Sequence, residues 1–201
     1  MNKKIRIAVL VSGNGTNLQA LINAQKNKVI KSGKIELVIS NNSNAFALKR
    51  AEKSKIPFEI ISKKECKEIE EFEKKLREIL KSYEIELIVL AGFTAILPAD
   101  FVQDYDKRII NIHPSIIPSF CGKNFYGIKV HEEAIKRGVK ITGATTHFVN
   151  EIIDGGEIIM QKAVKVLYND TAEKLQKRVM ESAEWIILPK TVEKVCKSLI
   201  L

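Results

Sequence analysis

The 201-residue chain is 45% hydrophobic and 28% charged, ordinary values for a globular protein with one sizeable core, and they exclude a largely disordered chain. Its net charge of +9 admits a nucleic-acid partner, yet lysines interleave with glutamates in stretches such as "KKECKEIEEFEKKLREILKS". No basic block with aromatic platforms appears, so the pattern fits solvated helix faces or a positive cleft for a small anion, not nucleic acid. The apolar run ending at Gly13 is too short for a membrane span and lacks a signal-peptide cleavage site, which predicts a cytoplasmic protein without a membrane partner.

Runs rich in Ile and Val recur at Ile5–Val11, Ile35–Ile39, Pro57–Ile61, Ile85–Leu90 and Ile109–Ile112. Between them lie helical patterns at Leu18–Lys26, Ala45–Ser54, Glu68–Ser82 and Ala99–Tyr105. Uninterrupted apolar strands alternating with amphipathic helices predict an α/β protein, a Rossmann-like, mostly parallel twisted sheet with helices on both faces. In the longest helix, Ile69, Phe72, Leu76, Ile79 and Leu80 fall at helical spacing and read as core. A short helix follows around Val130–Arg137, then strands Lys140–Val149 and Glu157–Val166 around the turn "NEIIDGG". Two strands so joined predict an antiparallel addition near the C-terminus. A last helix starts near Asp170, read as its cap, runs to about Trp185, and resumes after Pro189. Residues 1–201 read as one domain.

Three places carry chemistry. The first strand ends in "VSGNGTNLQAL", where Gly13 and Gly15 permit a tight turn and Thr16 and Asn17 open a helix. Such a turn either caps the helix or presents free N–H groups to a phosphate. Leu18 breaks a GxGxxG fingerprint, and no Gly-Lys-Ser/Thr follows, so a single phosphate is the fitting ligand. The fifth strand runs into Asn111-Ile112-His113-Pro114-Ser115. Alternation sends Asn111 and His113 out on the same side, and an amide donor beside an imidazole suits a carbonyl whose oxygen gains charge during attack. Asp154, in "THFVNEIIDGG", is either a turn former or an acid that orients His113 and raises its pKa. His147 reads as structural; His131, beside Glu132 and Glu133, has no fixed assignment. Cys66, Cys121 and Cys196 form no CxxC and have no histidine at ligand spacing, so neither a disulfide framework nor a metal site is indicated. Cys121 has no base partner in view, which argues against a nucleophile.

The segments "SGNGTNLQAL", "LIVLAGFTAIL" (87–97), "IINIHPSIIPSF" (109–120) and "GATTHFVNEIIDGGEII" (143–159), in that order and at this length, resemble the phosphoribosylglycinamide formyltransferase family, folate-dependent transformylases of purine synthesis. The resemblance runs essentially end to end. It implies the formyltransferase fold, with 10-formyltetrahydrofolate as co-substrate, no metal, and Asn111, His113 and Asp154 as the catalytic trio. It assigns Gly15, Thr16 and Asn17 to the nucleotide's 5′-phosphate, and Thr94, Ala95, Ile96 and Leu97, with Asn111, to the folate. Glu184 resembles an acid that contacts the nucleotide, a match that needs one inserted residue after Arg178. Thr94-Ala95 stands where relatives carry Met-Arg, and Ile69 where they carry a basic residue; both changes remove positive charge that could meet the folate's glutamate tail, for which Lys63, Lys64 and Lys67 are the candidate substitutes. The implied partners are small molecules, in a monomer or homodimer. A formyltetrahydrofolate hydrolase on the same scaffold is the alternative. Whichever applies, the trio implies an oxyanion held by Asn111 and by a His113 that Asp154 keeps protonated at neutral pH.

Overall fold

The computed structural model describes residues 3–62, 66 and 69–201. Lys63, Lys64, Lys67 and the Ile69 side chain, weighed above for the folate tail, lie outside the described residues. Seven strands form one sheet in the order β3-β2-β1-β4-β5-β6-β7. β1 (Ile5–Val11), β2 (Gly33–Ser40), β3 (Phe58–Ile60), β4 (Leu87–Leu90) and β5 (Ile109–His113) run parallel. β6 (Ile141–Phe148) and β7 (Ile158–Lys165) extend the sheet antiparallel.

Side-chain alternation splits the core between the two faces. Ile5, Ile7, Val9 and Val11 of β1 pack with Leu18, Leu21 and Ile22 of α1 (Thr16–Lys26) and with Ile187, Leu188 and Val192 of α7 (Trp185–Ile200). Ala8 and Leu10 point the other way, toward Phe72, Leu76 and Leu80 of α3 (Ile69–Ser82) and Phe101 of α4 (Ala99–Asp104). A strand covered on both faces needs apolar residues at every position, which explains the unbroken runs in the sequence. β5 obeys the same rule until its end: Ile110 and Ile112 join the first face and Ile109 the second, so Asn111 and His113 share the face of Ile109. The remaining helices are α2 (Phe46–Lys53), α5 (Ile128–Arg137) and α6 (Ala172–Val179). Among the described residues no helix is long and apolar enough to cross a membrane.

The C-terminal helices depart from expectation in two ways. Thr171, not Asp170, caps α6, its hydroxyl accepting from the Lys174 N–H. Asp170 instead accepts the Leu167 N–H at 2.7 Å and two N–H bonds from Arg178 at 2.6 and 2.5 Å. Nor does the helix stop before Pro189: α6 passes through a π turn, Met180–Glu184, into α7, which contains the proline. Proline removes one rung of the helical ladder without ending a helix whose other face is buried. The π turn also gives a place to the extra residue that the resemblance requires after Arg178, and it ends on Glu184.

Candidate active site

The order of strands makes β1 and β4 the switch point, from which connections leave toward opposite faces, and ligands of open α/β sheets gather there at the C-terminal strand ends. β1 and β5 are separated only by β4, so their ends stand about 10 Å apart. Three loops of the site therefore begin within reach of one another.

Asn111, His113 and Asp154 are brought together. Asp154 lies in the β6–β7 loop with φ 55°, a left-handed conformation that Asp tolerates better than most residues. Its Oδ2 lies 3.4 Å from His113 Nδ1 and accepts the Gly122 N–H at 2.8 Å, and its Oδ1 lies 3.4 Å from Asn111 Nδ2. The other ring nitrogen, His113 Nε2, donates to the Phe120 carbonyl at 2.8 Å. Neutral His113 thus carries its proton on Nε2 and offers the Nδ1 lone pair on the Asp154 side.

The expectation of a protonated His113 at neutral pH is corrected here. Burial pushes the imidazole below its ordinary range; the Asp154 carboxylate and the Phe120 carbonyl pull upward but do not win, and His147 adds to the lowering. Desolvation disfavours the charged ring more than one carboxylate at 3.4 Å favours it. Burial also works to raise Asp154, but the His147 and His113 rings and the Gly122 N–H hold its carboxyl below the usual carboxylate range. The resting pair is a neutral imidazole beside a carboxylate. His131, fully buried on α5, is pushed down to about 4 by burial and, secondarily, by His113 when that ring is protonated, and among the described residues neither of its ring nitrogens has a partner. Burial raises the Cys121 thiol, the wrong direction for a nucleophile.

Gly15, with φ 69°, precedes α1, and among the described residues no side chain caps the helix. The first helical N–H groups thus lie without a side-chain cap, in the field of the helix dipole. Thr16 opens α1. Asn17 is buried and donates to Glu184 Oε2 at 2.6 Å, so the glycine turn meets the acid expected to contact a nucleotide. Thr94 N–H and Oγ1 reach Ser12 Oγ at 2.9 and 3.2 Å, which ties the 94–97 segment to the end of β1. In that segment Ala95 and Leu97 are buried, whereas Ile96 is 67% exposed.

Glu184 is fully desolvated, and burial pushes its carboxyl up to about 7 against the opposing Asn17 bond. A folded-state pKa above the unfolded one gives stability that is full below about 4.5 and is lost as pH rises through 7. His131 and His113 have the opposite sign, so the difference between variants isolates Glu184. Glu184→Gln is expected to gain about 3 kcal/mol on the wild type between pH 4.5 and 8, read from denaturant unfolding at each pH. A constant difference across that range would show that Glu184 does not titrate there.

Several contributing groups gave no signal in sequence. Arg50 donates to the Asn14 carbonyl at 2.8 Å and to Gln19 at 3.1 Å, holding the glycine turn. Thr145 donates to the Ser115 carbonyl at 2.7 Å and accepts the Ile117 N–H at 3.1 Å, fixing the loop after His113. Among the described residues no group of three or more His, Cys, Asp or Glu is arranged to hold a metal ion.

The model of the formyl transferase family matches residues 5–192. In sequence the chain is 42% identical over 193 residues, 96% of its length, to the trifunctional purine biosynthetic protein adenosine-3 of Homo sapiens, and covers 18% of that protein. It thus spans less than a fifth of the length of the trifunctional relatives it matches. In structure it is similar to phosphoribosylglycinamide formyltransferase from Anaplasma phagocytophilum, with a TM-score of 0.85, 40% identity, and coverage of 98% of this chain and 89% of that one. A formyltetrahydrofolate deformylase from Pseudomonas syringae is also similar, at 28% identity and TM-score 0.86, with 98% and 62% coverage.

Proposed function

The chain belongs to the formyl transferase family, and on that footing we propose that it transfers the formyl group of 10-formyltetrahydrofolate to the primary amine of 5′-phosphoribosylglycinamide, a step of de novo purine synthesis. The observation that carries this reading is the meeting of Asn111, His113 and Asp154 at the strand ends where the glycine turn also opens. The relative of known structure named for this activity, at 40% identity, is nearer than the deformylase at 28%.

In this reading the nucleotide's 5′-phosphate sits on the turn at Gly15, Thr16 and Asn17, with Glu184 contacting the nucleotide, and the folate lies against Thr94–Leu97. The amine attacks the formyl carbon, and the oxyanion accepts an N–H from Asn111, whose 3.4 Å contact with Asp154 is weak enough to yield. A donor of this kind contributes about 2.7–4 kcal/mol to the transition state. His113 Nδ1 takes one proton from the attacking nitrogen, and the imidazolium forms beside the Asp154 carboxylate and near the oxyanion. It then gives that proton to N10 as the C–N10 bond breaks and the carbonyl reforms. The enzyme ends as it began, and the proton lost by the amine is the one gained by the folate. A water relaying the proton between the two nitrogens leaves the balance unchanged.

The rest of the reading follows the same premise. The chain acts as one domain, as a monomer or homodimer, and in the cytoplasm, with the apolar N-terminal run folded as central strand β1. The test is formyl-folate turnover with and without the nucleotide: accumulation of formylated nucleotide supports transfer, and nucleotide-independent release of formate makes the site a hydrolase.

Gly15→Ala separates the two substrates. A β-carbon there would lie 2.6 Å from Ala47 Cβ, on a backbone with φ 69°, a conformation that costs an L-residue about 1–2 kcal/mol. The KM for the nucleotide is expected to rise about tenfold with the folate KM unchanged. Equal shifts in both would detach the turn from the phosphate.

A further inference from the structure

His147, read in sequence as structural, sits opposite Asn111 across the antiparallel β5–β6 pair. Cross-strand partners in register point to the same face. Two contacts define the state of the ring. Nδ1 lies 2.8 Å from the Phe148 carbonyl, and Nε2 lies 3.1 Å from Asn111 Nδ2. A carbonyl only accepts, so Nδ1 carries the proton. Nε2 then offers a lone pair, which the Asn111 amide meets with one of its two hydrogens. Nε2 also lies 3.6 Å from Asp154 Oδ1, beyond hydrogen-bond reach; Asn111 is the nearer partner and the one whose chemistry matches. The reverse amide orientation would set Asn111 Oδ1 against a lone pair and a carboxylate at once.

We infer that His147 is a positioning residue: its Nδ1–H tautomer, fixed by the Phe148 carbonyl, pins one hydrogen of the Asn111 amide so that the other is aimed at the oxyanion. This rests on the transfer reading above. The two hydrogens have unequal partners, a 3.1 Å bond to buried His147 and a 3.4 Å contact with Asp154. When a formyl oxygen arrives, the weaker contact opens and the stronger one keeps the amide from turning. The local backbone supports this assignment. The β6–β7 register shifts between Thr146 and His147, where β7 carries the extra residue Ile159, and such bulges re-aim side chains beside active sites.

Two measurements on the full chain decide it. In the wild-type protein, the ring-nitrogen resonances of 15N-labelled histidine should show His147 with its proton on Nδ1; a proton on Nε2 overturns the inference whatever the kinetics. In steady-state assays, His147→Leu should lower kcat by about tenfold to a hundredfold, with KM for both substrates within about twofold. His147→Gln, whose amide oxygen presents an acceptor at similar reach, should recover most of that loss. In an Asn111→Ala background, His147→Leu should change kcat no further, because its effect passes through Asn111. Losses that multiply in the double variant, a change confined to KM, or an unimpaired His147→Leu enzyme each overturn the assignment. A wild-type protein that forms no formylated nucleotide fails the transfer reading, whereas an active wild type with the wrong tautomer fails this inference alone.

Discussion

Asp154→Asn is expected to lower kcat by about a hundredfold to ten-thousandfold, the range of a lost acid–base contribution, and to move the acidic limb of the kcat–pH profile to lower pH. Asparagine is the informative replacement. It accepts the left-handed φ of 55° with little strain, and its carbonyl oxygen can still take the Gly122 N–H now bound at 2.8 Å. The loop should therefore keep its shape, and the loss reports the missing charge. The direction of the pH shift follows from His113. Its ring must be neutral to take the amine's proton, so activity rises with pH through its pKa. Burial already holds that pKa below the ordinary imidazole range, and the Asp154 carboxylate is the larger of the two influences opposing the depression. Without the carboxylate the pKa falls further, so the limb moves down. The same removal makes Nδ1 a weaker base, which is why the plateau drops as well. Following kcat with a single amine substrate keeps the ionisation of the substrate common to both proteins. An unchanged plateau and limb would take Asp154 out of the proton path.

The fold was legible because a parallel strand covered on both faces leaves an unmistakable apolar run, as β1 and β4 do. The meeting of Asn111, His113 and Asp154 was legible for the complementary reason. Asn111 and His113 are polar residues where β5 should still be apolar, and Asp154 precedes two glycines in a turn. What the sequence did not show arises from contacts between distant segments or through backbone atoms. The Phe120 carbonyl fixes the tautomer of His113, and the Gly122 N–H holds Asp154; neither side chain announces this, since every residue has a carbonyl. The protonation of His113 is not legible in sequence because a neighbouring carboxylate can be guessed from a motif, whereas the depth of burial depends on which distant segments close over the ring, the loop carrying Phe120 among them. His147 reads as packing in sequence because its neighbours there are apolar, yet its partner across the sheet is Asn111. Pro189 suggested a break that the buried face of α7 and the π turn at Met180–Glu184 make unnecessary.

The two glycines after Asp154 should behave differently. At Gly156 a β-carbon would lie 1.8 Å from the Phe148 carbonyl oxygen and 2.8 Å from its carbon, so only a shift of backbone could admit it. That backbone is constrained from two sides: the Phe148 N–H donates to the Glu157 carbonyl at 2.9 Å, and the Phe148 carbonyl accepts from His147 Nδ1 at 2.8 Å. At Gly155 the added carbon would meet chiefly the side chain of Ile152, itself 63% exposed, and a small loop movement relieves the contact. Gly156→Ala is therefore expected to lose about 3 kcal/mol, or roughly 6–12 °C in Tm for a chain of this size, and Gly155→Ala about a third of that. The catalytic consequence should be sharper than the thermal one. Displacing the Phe148 carbonyl releases the His147 proton from Nδ1, the acceptor offered to Asn111 is lost, and kcat in Gly156→Ala should fall at temperatures well below unfolding while KM holds. Thermal unfolding and kcat at 25 °C, measured on both variants, separate these effects. If Gly156→Ala melts early but turns over normally when folded, the carbonyl shift does not reach Asn111, and the coupling from the β6–β7 turn to that amide is broken at His147.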